Sequence, residues 1–166
     1  MTDTRRVMAM TFKELLEEIP FQKISVNDIC EKCNMNRKSF YYHFCDKYDI
    51  ANSVFDIEFP CLKEFNGSDV SCSVFKDLSV YLFNNRAYYK KLFEIEGQNC
   101  FTDYLSHEIE EFLKKNAYTA DSFRANFWAD AICCSYKEWI LDKKASHYSD
   151  FYRKFRSCLS LAFPVA

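Results

Sequence analysis

Residues Ile24–Lys47 read ISVNDICEKCNMNRKSFYYHFCDK. Ser25 with Asp28 three residues on resembles a capping box, with Asp in the place of the usual Glu, and predicts a helix from Val26 to about Cys33. Asn34 follows, and asparagine tolerates the left-handed backbone conformation that ends helices. Asn36 is a good N-cap for a second helix, Arg37 to about Phe44. Two short helices joined by a turn of this length have the spacing of a helix-turn-helix.

On a wheel of about 100° per residue, Phe40 and Phe44 stack on one side of the second helix and Lys38 and Tyr42 fall nearly opposite. Tyr41 and Ser39 lie on the flanks. Arg37 projects nearer the phenylalanines, but its place in the first turn lets it swing outward. The outer face is thus Lys, Tyr, Tyr and Ser. Arg and Lys can donate to guanine or phosphate, Tyr and Ser hydroxyls to phosphate, and a ring can pack on a thymine methyl. A solvated helix with exposed tyrosines is the competing reading.

Outward from this stretch the chain stays helical in period. Val7, Met10, Thr11, Leu15 and Ile19 predict a first helix from Asp3 or Thr4 to Glu18, stopped by Pro20. Asp46 caps a longer helix through Ile57 that ends or kinks at Pro60. Helices are expected near 69–84, 87–95, 98–116, 120–143 and 147–163, about nine in all, with breaks at 66–69 (NGSD) and Gly97. Two glycines and three prolines in 166 residues are too few turn-makers for a many-stranded β protein, so the expected class is all-α.

The formal charge is −2, and residues 1–50 carry eight Lys/Arg against eight Asp/Glu. No bulk basic field draws in nucleic acid, so any DNA contact rests on a few placed cations. No apolar run reaches the ~18–20 residues of a membrane span. Nine cysteines without an export signal suggest free thiols and a reducing cytoplasm.

The run Ile24–Ile29, then Asn34–Phe44, then Lys47 resembles the DNA-binding domain of TetR/AcrR-type bacterial regulators, over about residues 4–55. The resemblance implies an all-α protein with an N-terminal three-helix DNA-binding domain (1–48). A C-terminal helical bundle (49–166) would dimerise and bind an effector. It implies that Tyr41 and Lys47 contact phosphate, that Ser25, Asn27 and His43 touch the DNA backbone, and that Arg37, Lys38 and Tyr42 face the bases. Ser39, on the wheel's flank, joins the backbone group. One departure stands out: the family's small-Gly-hydrophobic-Ser turn is here Cys33-Asn34-Met35-Asn36. Within the family, the Phe21–Ile24 entry, the run from Tyr41 to Asp49 and Trp139-Ile140 look most like the branch that regulates dihydroxyacetone kinases.

The resemblance also implies a homodimer on a palindromic double-stranded operator, built on the last two helices (about 120–143 and 147–163). The stripes Phe123, Phe127, Ala131, Cys134, Ser135, Trp139 and Tyr148, Phe151, Tyr152, Phe155, Cys158, Leu159, Ala162 fit such an interface; the alternative is that both face the protomer's own core. Rings such as Phe75, Tyr88, Tyr89, Phe93, Phe101, Tyr104 and Phe112 could line a small-molecule pocket or fill a core. Control by a protein partner, with no such pocket, is the other reading.

Cys30, Cys33, His43 and Cys45 could be written as zinc ligands, but no second Cys or His pair completes the spacing. Glycine-rich phosphate loops, G-x-S-x-G and HExxH are absent from the sequence. No cofactor, no metal and no enzymatic activity are expected.

Overall fold

The computed structural model describes residues 3–64, 73–116, 119 and 121–162. The described residues form ten α-helices and no strand. They are α1 (Thr4–Glu18), α2 (Val26–Lys32), α3 (Arg37–His43), α4 (Lys47–Glu58), α5 (Cys61–Glu64), α6 (Ser73–Asn84), α7 (Arg86–Phe93), α8 (Phe101–Lys115), α9 (Ser122–Leu141) and α10 (Tyr148–Ala162). A 3-10 turn spans Phe21–Lys23. The helix beyond the expected nine is α5, a single turn after Pro60. The expected break at 66–69, and the ends of the expected helices at 69–72, 120 and 163, lie outside the described residues. No helix among the described residues is long and apolar enough to cross a membrane.

The chain divides into two compact units, Met1–Pro60 with Ala87–Tyr104, and Cys61–Arg86 with Leu105–Ala166. In the first, α1 packs on α2 and α4, and α2 on α3. Asp3 caps α1 by accepting from the Arg5 amide at 3.1 Å. Met8, Phe12 and Leu16, spaced four apart, are fully buried. Phe40 and Phe44 of the α3 segment join them in the core, with Ile29 of α2 and Ile50 and Val54 of α4. Phe55, Tyr89, Phe93 and Phe101 form a second knot of rings in this unit, with centroids 5.0–6.3 Å apart. From α7, the Tyr88 hydroxyl donates to the Ala51 carbonyl of α4 at 3.2 Å. Lys91 donates to the last carbonyls of α1, Leu16 at 2.6 Å and Glu17 at 2.9 Å.

In the second unit α6 packs on α9 and α10. Ala125, Ala129, Ile132, Tyr136 and Ile140 give α9 its buried stripe. Trp139 stacks flat on Phe151 at 4.1 Å, and its indole N–H donates to the Ser146 carbonyl at 2.9 Å. At the centre, the fully buried Tyr136 donates to the Phe75 carbonyl at 2.6 Å, with the Ser79 hydroxyl 3.1 Å away. A buried hydroxyl without a partner would cost free energy, so this triad lets a large ring fill the bundle's middle.

Burial pushes the Tyr136 hydroxyl above the ordinary tyrosine value of 10.0. Folding therefore keeps a proton that the unfolded chain releases above pH 10, so the tyrosine's contribution is intact below that pH and is lost as pH rises past it. Tyr136→Phe is expected to lower stability at neutral pH by about 1–2 kcal/mol. That gap between wild type and variant should shrink in denaturant titrations repeated above pH 10; a gap independent of pH would contradict the buried hydroxyl's role.

Candidate nucleic-acid interface

The turn between α2 and α3 determines which side chains face outward. Asn34 takes the left-handed conformation, φ 53°. Its amide donates to the Glu31 carbonyl at 3.1 Å, and the Met35 amide to Cys30 at 2.8 Å. These two bonds make a Schellman closure, which satisfies carbonyls that helix α2 leaves open. Asparagine serves where glycine is usual because its short polar side chain is among the least penalised there. At the other end of α2 the capping box is complete. The Ser25 hydroxyl and amide both donate to Asp28 at 2.7 Å, and the Asp28 amide donates back to Ser25 at 3.2 Å. These bonds hold the Asp28 carboxyl below its usual value. Asn36 caps α3 by accepting from the Ser39 amide at 2.9 Å.

With Phe40 and Phe44 inward, α3 presents Lys38, Tyr41 and Tyr42 to solvent, Tyr42 at 83% exposure and Tyr41 at 52%. Lys38 and Tyr42 have no polar partner among the described residues. Ser39 and His43 are half-buried on the flanks, and the Tyr42 and His43 rings meet edge to face at 4.9 Å. Arg37 is exposed but not loose. It donates to Asn27 of α2 at 3.0 Å and to the Tyr41 hydroxyl at 3.1 Å. Ser25 spends its hydroxyl on the capping box. Lys47 lies over the Phe21 ring at 4.5 Å and donates to the carbonyl of Phe21 at 3.1 Å and to those of Gln22 and Ile24 at 3.5 Å.

Cys30 is buried and Cys33 half-buried, and burial pushes both thiols up, away from the thiolate a metal would need. No cluster of three or more His, Cys, Asp or Glu suited to a metal occurs among the described residues.

A three-helix head with a closed helix-turn-helix and a polar, cationic outer face on its second short helix defines a DNA-binding transcriptional regulator. Residues 13–54 match the bacterial regulatory proteins of the tetR family, and residues 72–160 match a transcriptional regulator C-terminal region. The chain belongs to the TetR family of transcriptional regulators. It is similar, at 25% identity over 137 residues (80% of this chain and 72% of the relative), to the HTH-type dhaKLM operon transcriptional activator DhaS of Lactococcus lactis. The solved structure of a dihydroxyacetone kinase operon activator DhaS shares the fold, with a TM-score of 0.70 and 24% identity over 96% of each chain. A TerR/AcrR family regulator from Aquifex aeolicus also shares it, with a TM-score of 0.57 and 19% identity over 97% of this chain and 100% of that one.

The bond from Arg37 to Asn27 escapes a helical wheel because it crosses the turn, whereas its bond to Tyr41 lies within α3 at i,i+4 spacing. The Lys47 clamp escapes it too, because its carbonyl partners lie 23–26 positions away. In this structure Lys47 ties the 3-10 turn to the start of α4. Lys47→Met is expected to lower stability by about 1–2 kcal/mol, as charged-group hydrogen bonds are lost. It should also weaken DNA binding on all duplexes alike. Thermal melts and binding isotherms on the same preparation check this, and an unchanged melting temperature would show the clamp to be idle.

Proposed function

We propose that this TetR-family chain binds a palindromic operator as a homodimer and activates transcription of a neighbouring operon in response to an effector. Residues 1–48 carry the DNA-binding role and residues 49–166 the dimerisation and sensing roles. Each protomer lays α3 in a major groove. Lys38 and Tyr42 reach base edges, while Ser39, Tyr41, His43 and Asn27 meet the sugar-phosphate backbone. Ser25 and Lys47, which hold the frame through the capping box and the carbonyl clamp, are assigned to the phosphates on binding. The single observation carrying this reading is the outward pair Lys38 and Tyr42, one helical turn apart and without polar partners among the described residues. The activating sense is drawn from the similarity to DhaS. We read the chain as a non-enzymatic protein of the cytoplasm.

The α9 face supports the homodimer. Phe123 is 78% and Phe127 56% exposed, with Cys134 and Ser135 exposed and Ala131 half-buried on the same side. Of the α9 stripe read from the sequence, Trp139 turns into the protomer's own core, and of the α10 stripe Phe155 and Leu159 are buried there too. Beside this face, Trp128, Ile132, Phe151, Phe155 and Leu159 line an apolar groove of about 310 Å³ between α9 and α10. A second copy covering it would bury two large rings per protomer, at about 25 cal/mol per Å².

The effector is open to a second reading. Phe75, Tyr88, Tyr89, Phe93, Phe101 and Phe112 are buried and pack on other core side chains. Rings spent on one another in this way favour control by a protein partner over a small molecule in an aromatic pocket.

Lys38→Ala or Tyr42→Ala is expected to relax preference at one base pair, by about 1–3 kcal/mol of discrimination, while overall folding is untouched. Competition between duplexes enriched from a random library by the purified protein measures it, and unchanged base preference in both variants would remove the base-reading role. Phe127→Glu is expected to shift the protein to monomer in sedimentation velocity and to weaken operator binding in parallel; a variant that stays dimeric would place the interface elsewhere.

A further inference from the structure

We propose that Arg37 is a positioning residue: its guanidinium sets Asn27 of α2 and Tyr41 of α3 as a matched pair of hydrogen-bond donors toward the DNA backbone. The inference rests on the DNA-binding reading above and moves Arg37 away from the base edges, where the family resemblance would put it.

The argument is one of hydrogen-bond polarity. A guanidinium only donates. The Asn27 amide must therefore turn its Oδ1 to Arg37, as it does at 3.0 Å. Both amide protons then point away, and the side chain has no other partner among the described residues. The Tyr41 oxygen accepts from the other arm of the fork at 3.1 Å. Its single proton is left to be donated elsewhere. Without Arg37 either group could present an acceptor or a donor to solvent; with it, each oxygen is engaged on the arginine side and the protons are turned outward. A phosphate oxygen accepts and never donates, so this is the polarity that a DNA backbone rewards and that base edges, which offer both kinds, do not single out.

Geometry fixes the pair in place as well as in polarity. The guanidinium carbon sits 5.7 Å from the Tyr41 ring centroid, within cation–π range. The Tyr41 ring in turn rests edge-on against Phe40, 5.3 Å away, and Phe40 is fully buried. The chain of contact runs from the core through Tyr41 and Arg37 to Asn27, bridging the two helices across the turn. The positive charge also polarises the tyrosine hydroxyl it touches, strengthening it as a donor. Two donors set in advance on two helices spare the ordering cost that free side chains would pay on binding.

The test uses the full chain and a duplex enriched by it from a random-sequence library. Arg37→Met is expected to weaken binding about tenfold, a charge-assisted bond or two, and by the same factor on single-base variants of the duplex. In the Arg37→Met background, Tyr41→Phe and Asn27→Ala should cost much less than they do in the wild type, because their donors are already unset. Arg37→Lys, which keeps the charge without the planar fork, should show the same loss of coupling, and serves if the methionine variant folds poorly. A changed base preference in Arg37→Met, or strict additivity with Tyr41→Phe and Asn27→Ala, would overturn the positioning role while the wild type still binds its duplex. A wild type that enriches no duplex would instead bring down the DNA-binding reading beneath it.

Discussion

The left-handed backbone at Asn34 is the constraint on which the DNA-facing head depends. Met35 and Asn34 close the end of α2 only because residue 34 takes φ 53°. That closure ends α2 after Lys32 and lets Asn36 start α3 in a fixed direction. From there the consequences are geometric. Phe40 and Phe44 enter the core, Lys38 and Tyr42 leave it, and Asn27 comes within 3.0 Å of Arg37. A β-branched residue at position 34 would oppose all of these at once, since such residues scarcely occupy positive φ.

The rest of the scaffold solves a related problem in another way. With two glycines in the chain, most helices cannot end on a glycine, and their open carbonyls need other donors. Long cations supply them. Lys91 serves the end of α1, Lys47 the 3-10 turn, Lys115 the Lys63 carbonyl of α5, and Arg86 the Ile140 and Asp142 carbonyls at the end of α9. Each of these cations is held within its own unit and adds direction as well as charge. Cations used this way leave fewer to form a basic field, consistent with a head whose charges balance to zero over residues 1–50.

What could be read from the sequence follows from the range of the interactions. The caps at Ser25, Asn36 and Asp46 act within three residues, and each lies where its sequence signal placed it. The inward and outward faces of α3 follow from a single period. The helix over Cys61–Glu64 was not legible, because one turn after a proline carries no periodicity. Nor was the side of α9 that meets the core. Its residues are apolar on both faces, so the stripe through Phe127 and the stripe through Ile132 look alike until packing chooses between them. The same holds for the rings of the second half, since burial against another ring and exposure to a ligand call for the same residue types. The Arg37 bridge was beyond reach for a third reason: it joins positions ten apart across a turn whose angle only the folded chain reveals.

Charge explains why a reader of this kind would need a twin. The formal charge of −2 offers no long-range attraction to a polyanion, and α3 presents only Arg37 and Lys38 as cations. Affinity from so few phosphate contacts is modest and sensitive to salt. A second α3, held about 34–36 Å away on the next turn of the groove, meets its half-site as an intramolecular event at high effective concentration. Affinity then grows from geometry instead of added charge. In such a protein anything that alters the separation of the two readers, whether a small molecule or a partner seated on the bundle, acts on the effective concentration and not on any one contact with DNA. On the proposed dimer, the exposed phenylalanines of α9 would then weigh on operator binding as heavily as the side chains of α3.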